Sequence, residues 1–367
     1  MKILQISSAR NFGGGERHLV DLINGLQRRG HEVFLAAPED SPVAEKLDRF
    51  PPERLLPVRI KNSADILSSA KIARFIRQNK IEIAHAHAAK DYLPASFAVR
   101  LAPGAKFVLT RHVLFPMKKM QRFALSNAAR AVAVSTAVAA GLENIFPKEK
   151  IVKIPNGIEI ERWRDAESEK LSREFRALHN LPEKAPLVVT MGELKVLKGQ
   201  RDFVLAAAET AKRFPAARFL IVGADNTFKK DFRREIKRLV KILGLEERFL
   251  FLDWVEDTRP LLAATDVFVS ASHTESFGLA ILEAMASRKA VVATETMGAR
   301  ELIEDGKTGR LTRVQQPLEL AAAIGEFLSD EKMRARFGES AVEAAGERFS
   351  LEKMIGRTEE LYRSVLV

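Results

Sequence analysis

Short, continuously apolar runs alternate with amphipathic stretches from one end of the chain to the other. Such runs are typical of strands in parallel sheets that helices cover on both faces. The stretches between them have helical spacing, as in GERHLVDLINGLQRRG and LSSAKIARFIRQNK. The pattern therefore predicts an α/β fold with parallel sheets. The predicted strands are KILQIS, EVFLAA, RLLPV, IEIAHAHA, KFVLTR, RAVAVS, IVKIPN, LVVTMG, ARFLIVG, RFLFLD, DVFVSAS, AVVAT and GRLT.

The series of strands and helices restarts after residue 165. Each part is about the size of one doubly wound domain, so we predict two Rossmann-like domains, residues 1–163 and 164–350. The polar segment NGIEIERWRDAESEKLSREF is the predicted linker, and helical patterns without a further strand close the chain. Ligands of such folds bind at the carboxyl ends of the strands, so we expect the site in the cleft between the domains.

Composition excludes several classes of chemistry. The 367 residues are 46% hydrophobic and 29% charged, which is ordinary for a soluble globular protein. No cysteine is present, so disulfides, thiol catalysis and Cys-ligated metal centres are excluded. The N-terminal MKILQISSAR has no export signal and no apolar run is long enough to span a membrane, so we expect a cytoplasmic protein.

The net charge of +11 lies entirely in the N-terminal part. Residues 1–165 contain 27 Lys and Arg against 16 Asp and Glu, and the remainder contains 32 of each kind. Such asymmetry is typical of a surface that meets an anionic partner, which leaves open a phospholipid surface, a phosphorylated acceptor or nucleic acid. A charge that serves only solubility is the alternative. With two Trp, two Tyr and no recognisable binding module, the chain favours no nucleic-acid partner.

A glycine-rich loop, SSARNFGGGERHLV, directly follows the first predicted strand. Gly13, Gly14 and Gly15 let the backbone approach a ligand, and the helix after them offers free N–H groups to an anion. The loop is not the dinucleotide fingerprint, because His18 stands at the position of the third glycine. A Walker A loop is also absent. Gly306, Lys307 and Thr308 in EDGKTG match its end, but Glu301 stands where its first glycine is required. A plain flexible turn is the alternative.

Histidines occur at the ends of two predicted strands. Arg111 and His112 end KFVLTR and are expected to point toward the cleft, where His112 has either a chemical or a structural role. His85 and His87 are two apart, so they share one strand face and in principle suit a metal ion. No third ligand with suitable spacing follows nearby, so we favour a core or cleft-lining role for both and predict no metal site.

Cations cluster around a helix start in VVTMGELKVLKGQRDF. Gly192 follows a strand, and Lys195, Lys198 and Arg201 surround the start of the next helix. Cations beside a helix N-terminus suit a diphosphate, because charge-assisted hydrogen bonds and the helix dipole act together.

Two glutamates flank a helix start in HTESFGLAILEAMAS. The backbone amides of Phe277, Gly278 and Leu279 are expected to be the unpaired first amides of that helix and to seat an anion. Glu275 lies beside them and can accept hydrogen bonds from vicinal hydroxyls. Glu283 lies roughly 9 Å farther along the helix, where it would reach a second diol such as a ribose. An exposed position on an amphipathic face is the alternative for Glu283.

These residues resemble a known family. ESFGLAILEAMA has the E-x7-E pattern, and the glycine-rich loop, HAH, TRH, AVSTAVAAGL, IPNGIE and ARELIEDGKTGRLT follow in the order of family segments. The chain resembles a retaining glycosyltransferase of glycosyltransferase family 4, with the GT-B fold, over nearly its whole length. The resemblance implies a nucleotide-sugar donor, most often a UDP-sugar, on the C-terminal domain and an acceptor on the N-terminal one. It also implies that the last helix, about 351–367, packs back on the N-terminal domain.

The resemblance also implies roles for single residues. His112 would hydrogen-bond the donor sugar near the reacting carbon, Lys198 would bind the diphosphate, and Glu275 would contact the sugar; these three are the expected catalytic residues. Glu283 would hold the ribose. The expected donor-binding residues are Gly14, Gly15, Gly192, Lys195, Arg201, Ser276, Phe277, Gly278, Leu279 and Glu283.

One residue departs from the family pattern. Glu193 follows Gly192, where the family usually has an arginine. A carboxylate cannot neutralise a diphosphate. Either Lys195 or Arg201 substitutes for the missing cation, or the donor pocket differs from the common one.

No cofactor or metal is expected, because the chain contains no D-x-D triplet to hold a metal-bridged diphosphate. The resemblance implies retention of configuration at the anomeric carbon. This outcome is usually attributed to attack on the same face, with no obligatory protein nucleophile. The expected acceptor is a glycan or lipid-linked molecule of lipopolysaccharide or cell-surface type, reached at the inner face of a membrane. Two alternatives stay open: a nucleotide-sugar epimerase of the same fold, and a basic peripheral binding protein without transferase activity.

Overall fold

The computed structural model of the chain describes residues 1–163, 168–227 and 229–367. Each apolar run that predicts a strand overlaps one of the strands in these ranges. The strands are β1 Lys2–Ile6, β2 Glu32–Ala37, β3 Leu55–Pro57, β4 Ile83–Ala86, β5 Lys106–Arg111, β6 Ala128–Ala133, β7 Ile151–Lys153, β8 Leu187–Met191, β9 Arg218–Val222, β10 Phe249–Leu252, β11 Val267–Ser270, β12 Ala290–Thr294 and β13 Arg310–Thr312.

Helices connect the strands. They are α1 Gly14–Arg28, α2 Pro42–Glu45, α3 Ile66–Asn79, α4 Tyr92–Arg100, α5 Gln121–Ala124, α6 Thr136–Leu142, α7 Ser168–Leu178, α8 Gln200–Arg213, α9 Asp231–Ile242, α10 Arg259–Ala264, α11 Leu279–Ala286, α12 Met297–Leu302, α13 Pro317–Ser329, α14 Glu331–Phe349 and α15 Leu351–Leu366. None of these described helices combines the length and the apolar character that crossing a bilayer requires.

The strands form two parallel sheets. The first has the order β3-β2-β1-β4-β5-β6-β7, and the second has the order β10-β9-β8-β11-β12-β13. The neighbouring strands run parallel throughout both sheets. The α/β fold with two Rossmann-like parallel sheets is therefore confirmed.

The chain forms two compact units. The first consists of Met1–Gly157 and Leu351–Val367, and the second of Ile158–Ser350. The predicted boundary after residue 163 adjoins residues 164–167, which lie outside the described residues, as does that part of the predicted linker.

Helix α15 belongs to the core of the first unit. Ile355 and Tyr362 are fully buried among the residues that pack on the first sheet. A Cβ atom added at Gly25 of α1 would stand 2.1 Å from Cδ1 of Ile355, so the two helices touch where α1 has no side chain. Arg29 Nη2 lies 2.7 Å from Oε2 of Glu352, at the rim of the same contact.

Each sheet has one point where the strand order reverses. In the first sheet β1 lies beside β4, and in the second β8 lies beside β11. The connections on the two sides of such a pair leave in opposite directions, which opens a crevice at the carboxyl ends of the two strands. The glycine-rich loop follows β1, the residues HAA follow β4, GELKVLKG follows β8 and ASHTESFG follows β11. The sheet order therefore brings the sequence-predicted loops of each unit together in pairs.

Candidate functional site

An ion pair joins two predicted catalytic residues of the second unit. Lys198 Nζ lies 2.5 Å from Oε2 of Glu275, and the two side chains are 26% and 16% exposed. Lys198 ends a 3₁₀ turn, Val196–Lys198, after β8, while Glu275 lies in the loop after β11. Neighbouring strands thus bring together two residues that are 77 positions apart in the sequence.

The loop that carries Lys198, residues 192–199, packs closely against the end of β11. Gly199 has a φ of +67°, and a Cβ atom there would stand 1.8 Å from the carbonyl oxygen of Ala271. Glycine is therefore required at this position by both the backbone conformation and the space. At Gly192, which follows β8, the position of a Cβ atom is 3.8 Å from Cδ of Lys198. The lysine side chain accordingly lies along the end of the strand.

The helix after Glu275 begins two residues later than predicted. Its first residue is Leu279, and Gly278 is the N-cap residue with a φ of +103°. The predicted first amides at Phe277 and Gly278 are thus outside the helix, and the first turn is Leu279–Ile281. The reason is tertiary packing, because the buried ring of Phe277 makes an edge contact with Phe349, at 5.7 Å between ring centroids.

Four predicted donor-binding residues surround this helix start. The half-buried Ser276 and Leu279 lie on either side of the buried Phe277 and Gly278. The backbone N–H of Gly298 donates to the carbonyl of Glu275 at 2.9 Å and so fixes the loop from the other side.

Glu283 is buried, with 7% of its surface exposed. Its Oε2 accepts a hydrogen bond from Oγ1 of Thr258 at 3.1 Å. The alternative of an exposed residue on an amphipathic face is therefore wrong, since the neighbouring positions on α11 are buried too. A buried carboxylate with acceptor capacity is suited to hydroxyl donors.

The negative charge of Glu193, which stands where the family usually has an arginine, is paired with a neighbouring cation. Its carboxylate pairs with the ammonium group of Lys195 and accepts a hydrogen bond from Nδ2 of Asn226 at 3.3 Å. Arg201 forms an ion pair with Glu235 of α9. Both cations that were considered as substitutes for the missing arginine are therefore engaged by carboxylates in this structure.

In the first unit the glycine-rich loop leads into α1. Gly13 is the N-cap residue in extended conformation, and α1 begins at Gly14. The carboxylate of Glu16 accepts the Gly13 N–H at 3.0 Å, and burial raises the pKa of that carboxyl. A Cβ atom at Gly15 would lie 3.7 Å from the ring of His112, so the loop and the predicted catalytic histidine are in contact range.

Three histidines of the first unit converge near this loop. His18 comes from α1, His87 follows β4, and His112 follows β5. The ring centroids of His18 and His112 are 4.9 Å apart, and the centroid of His87 is 5.9 Å from each of them. We call these three residues the histidine cluster. His87 is therefore grouped with His18 and His112, which the spacing of His85 and His87 in the sequence does not indicate, because the sheet order brings together residues that are remote in sequence.

The histidine cluster contains buried ring nitrogens without hydrogen-bond partners among the described residues. They include Nδ1 of His87 and both ring nitrogens of His112, and Oδ1 of Asn156 is in the same condition. His87 Nε2 lies 2.7 Å from Oε1 of Gln5, which only accepts, so Nε2–H is the donor and Nδ1 keeps a lone pair. Buried polar groups normally have hydrogen-bond partners, so these atoms are suited to a polar ligand or an ordered water.

Burial keeps the histidine cluster neutral. It lowers the pKa of His18 to about 4. It lowers the pKa of His87 and His112 well below the ordinary value, and repulsion between the neighbouring histidines lowers both further. Neutral imidazoles have one donor and one acceptor nitrogen, which suits sugar hydroxyls.

A hydrogen-bond network supports the cluster from below. His85 Nδ1 lies 2.5 Å from the hydroxyl of Tyr362 in α15, and His85 Nε2 lies 2.7 Å from Oγ1 of Thr110. Gln5 Nε2 donates to the same tyrosine hydroxyl at 3.2 Å. His85 thus has the core role predicted for it, and α15 contributes to the floor beneath His87.

Sequence reasoning missed Asp91. Its carboxylate is buried, accepts the backbone N–H of Ser8 at 2.9 Å, and also pairs with the Ser8 hydroxyl. Burial raises the pKa of Asp91 to about 6. The carboxylate links the loop after β1 to the start of α4, and Asp91 is the residue that precedes this helix. Its place before a helical pattern is a signal typical of an N-cap, not of a site.

Arg111 has a structural role. It is buried, and its guanidinium donates to the carbonyl of Phe115. That hydrogen bond folds the segment after His112 back toward the end of β5.

Two family models match the chain. Residues 12–162 match the model described as Glycosyltransferase Family 4. Residues 172–344 match the model described as Glycosyl transferases group 1. Between them, the two matched ranges contain all the predicted catalytic residues.

Two named relatives and one solved structure are similar to this chain over most of their length. N-acetyl-alpha-D-glucosaminyl L-malate synthase of Bacillus anthracis is 28% identical over 313 residues, 82% of this chain and 80% of that protein. The lipopolysaccharide core biosynthesis glycosyltransferase LpsE of Rhizobium meliloti is 27% identical, over 93% of each chain. Among solved structures, Anabaena HepE in complex with UDP-glucose has a TM-score of 0.86 at 24% identity, over 99% of this chain and 100% of that one.

Proposed function

The chain belongs to glycosyltransferase family 4, and from that premise we propose that it transfers a hexosyl group from a nucleotide-sugar donor to a glycan or lipid-linked acceptor, with retention at the anomeric carbon. A UDP-sugar is the preferred donor, since HepE, which has the same fold, was solved with UDP-glucose. An epimerase of the same fold and a binding protein without activity are not favoured, because the relatives are named as enzymes that join sugars to acceptors.

The observation that carries the proposal is the Lys198–Glu275 pair beside the first turn of α11. As the bond between the anomeric carbon and the diphosphate breaks, negative charge develops on the leaving diphosphate. An ammonium group and the free amides of a helix start stabilise that charge without reorganisation. The carboxylate of Glu275 accepts hydrogen bonds from hydroxyls of the donor sugar. The buried carboxylate of Glu283 accepts hydrogen bonds from hydroxyls of the ribose.

The proposed reaction needs no protein nucleophile. The bond between the anomeric carbon and the diphosphate oxygen breaks while the acceptor oxygen attacks from the same face. The proton of the acceptor hydroxyl passes to the departing phosphate, which leaves as a nucleoside diphosphate. His112, neutral and in contact range of the glycine-rich loop, positions the sugar by hydrogen bonding. No resident metal is proposed, because Lys198 and the helix amides supply the charge stabilisation.

The first prediction tests the two central residues. We expect Lys198→Ala and Glu275→Ala to reduce kcat by about a hundredfold or more, because each removes a group that acts on developing charge or on the donor sugar. Transfer is measured with a panel of UDP-, GDP- and ADP-sugars, after thermal shift has identified the donor that binds.

Lys212→Ala is the matched control, since Lys212 is an exposed lysine of α8 whose partner is Glu209. It should keep normal transfer. Near-normal turnover in both test variants, with circular dichroism unchanged, would remove the basis of the assignment. Full activity in EDTA is expected, and a loss that added Mg²⁺ restores would contradict the metal-free proposal.

A basic, partly apolar segment of the first unit carries the proposal of membrane contact. Residues 92–142 contain seven Lys and Arg and no Asp or Glu. Within that range Phe115, Met120 and Phe123 are 67%, 84% and 82% exposed. Between them lie Lys118, Lys119 and Arg122. We define residues 113–123 as the basic apolar segment and propose that it lies on an anionic bilayer, where the acceptor would be embedded.

The second prediction concerns this segment. The triple variant Phe115→Ser, Met120→Ser, Phe123→Ser should lose most of its co-sedimentation with phosphatidylglycerol-containing vesicles, because apolar insertion and attraction to anionic lipid act together. Ile66→Ser with Leu67→Ser is the control, as these exposed residues lie elsewhere in the same unit. Equal binding to neutral phosphatidylcholine vesicles, or an undiminished triple variant, would contradict the proposal.

A further inference from the structure

We propose that the histidine cluster is also a binding site for a divalent transition-metal ion, with Zn²⁺ as the reference ion, and that the bound ion inhibits the enzyme. The binding part stands on the first unit alone. The inhibition rests on the proposed function, because it requires His112 to contact the donor sugar.

The geometry favours one ion held by three imidazoles. His18, His87 and His112 each offer a ring nitrogen, and these three atoms all lie within 4.8 Å of one another. Three nitrogens on a tetrahedral zinc ion stand roughly 3.4 Å apart. Modest rotations of the rings therefore bring the three nitrogens to the ion without backbone movement.

The protonation state of the cluster is already that of a ligand set. His87 donates from Nε2 to Oε1 of Gln5 at 2.7 Å, so the lone pair of Nδ1 faces away from Gln5 and has no hydrogen-bond partner among the described residues. In metal sites, a carbonyl oxygen that accepts the other ring N–H orients the metal-binding histidine in the same way. Gln5 is itself held by Tyr362, so the orientation of His87 is fixed by two elements of the core.

The donor set selects the class of ion. Three imidazole nitrogens suit zinc, copper, nickel and cobalt, while magnesium and calcium require oxygen ligands. A three-histidine site leaves a fourth position open for water. The cluster itself contains no carboxylate to balance the charge of the ion, so we expect micromolar rather than structural affinity, and reversible binding.

The metal ion and the donor sugar would compete for the side chain of His112. A ring nitrogen of His112 that binds an ion is no longer available to a sugar hydroxyl. Zn²⁺ should therefore raise the apparent KM for the donor, and a chelator should restore it.

The test uses Co²⁺ as a spectroscopic probe of the full-length chain. We expect visible d–d absorption with the intensity of a tetrahedral site, saturating at one ion per chain, and its displacement by Zn²⁺. His18→Ala and His87→Ala should each weaken Co²⁺ binding by about tenfold or more. His179→Ala, which removes a histidine of α7 in the second unit, should leave binding unchanged.

Each outcome decides a separate part of the proposal. Wild-type protein without a saturable tetrahedral Co²⁺ spectrum would overturn the site, whatever the variants do. Binding that His18→Ala and His87→Ala leave intact, with folding checked by circular dichroism, would also overturn it. Saturable binding without any effect on donor KM would retain the site and refute the inhibition. None of the binding measurements depends on transfer activity, so a failure of the proposed function is recognised separately.

Discussion

At the scale of single residues, the electrostatics of the proposed donor site depend on which charges are paired. Lys198 is paired with Glu275, and Lys195 is paired with Glu193. The first pair joins loops after neighbouring strands. The second joins residues two positions apart on a half-exposed surface, where such a pair contributes little to stability. The Glu193 carboxylate is therefore more important for the electrostatics of the site than for the fold.

The third prediction follows from Glu193. Glu193→Gln removes a negative charge next to the proposed diphosphate position and releases Lys195. An exposed charge pair is worth up to about 1 kcal/mol, so the KM for the donor should fall by up to about fivefold, with kcat nearly unchanged. Steady-state kinetics at low ionic strength measure this change.

Glu209→Gln on α8 is the control, because it removes one acidic charge from an exposed pair with Lys212. An unchanged or higher KM for Glu193→Gln would mean that the carboxylate binds the donor rather than opposing it.

At the scale of elements, the contact between α1 and α15 joins the end of the chain to its beginning. α1 follows the glycine-rich loop and carries His18, while α15 places Tyr362 beneath the histidine cluster. A helix of the core thus supports the candidate site through Tyr362, which is 277 positions from His85 in the sequence. Two glycines in this contact, Gly25 and Gly356, have different surroundings.

The fourth prediction compares these glycines. A methyl group at Gly25 would meet Cδ1 of Ile355 at 2.1 Å and Cγ1 at 2.8 Å, so Gly25→Ala should destabilise the protein by about 1–3 kcal/mol through overpacking. Gly356→Ala meets only Arg29, at 3.6 Å, and should be neutral or stabilising by up to about 1 kcal/mol. Urea unfolding measures both, and equal effects would contradict the close approach of the two helices.

At the scale of the whole molecule, the buried histidines are concentrated in one unit. His18, His85, His87 and His112 all lie in the first unit, and burial lowers the pKa of each. In the unfolded chain the same groups bind protons near their ordinary pKa of about 6.5. At pH values between this ordinary pKa and the lower pKa values of the folded state, the unfolded state binds more protons than the folded state. The free energy of unfolding therefore decreases as the pH decreases.

The fifth prediction is that the first unit loses stability before the second on acidification. A histidine whose pKa falls to about 4, as for His18, contributes on the order of 3 kcal/mol that is lost as the pH decreases through this range. Burial raises the pKa of Asp91 to about 6 and also raises the pKa of Glu16, and these two carboxyls act in the opposite sense, but the four histidines outnumber them.

Hydrogen–deuterium exchange at pH 7.5 and pH 5, corrected for the intrinsic rates, measures the effect. Peptides from Met1–Gly157 should lose protection first, and those from Ile158–Ser350 should change less. Equal loss in both units would show that the buried histidines do not dominate the acid sensitivity.

The sequence alone determined the architecture and the identity of most candidate residues. Apolar runs and helical spacing depend on each residue and its near neighbours, so every predicted strand overlaps an observed one. The motif with Glu275 and Glu283 is local for the same reason, and the resemblance to the family rests mainly on it. The start of α11 was predicted two residues early, because the burial of Phe277 against Phe349 is not visible in a local pattern.

Only the tertiary structure decided which residues meet. His18, His87 and His112 form one cluster because β1 lies beside β4 and β4 beside β5, an order that the sequence pattern does not encode. The pairing of Arg201 with Glu235, which is 34 positions away, likewise depends on side-chain positions in the folded second unit. Local periodicity determines which faces are buried, whereas distances between remote residues follow from strand order and packing. The site is defined by those distances.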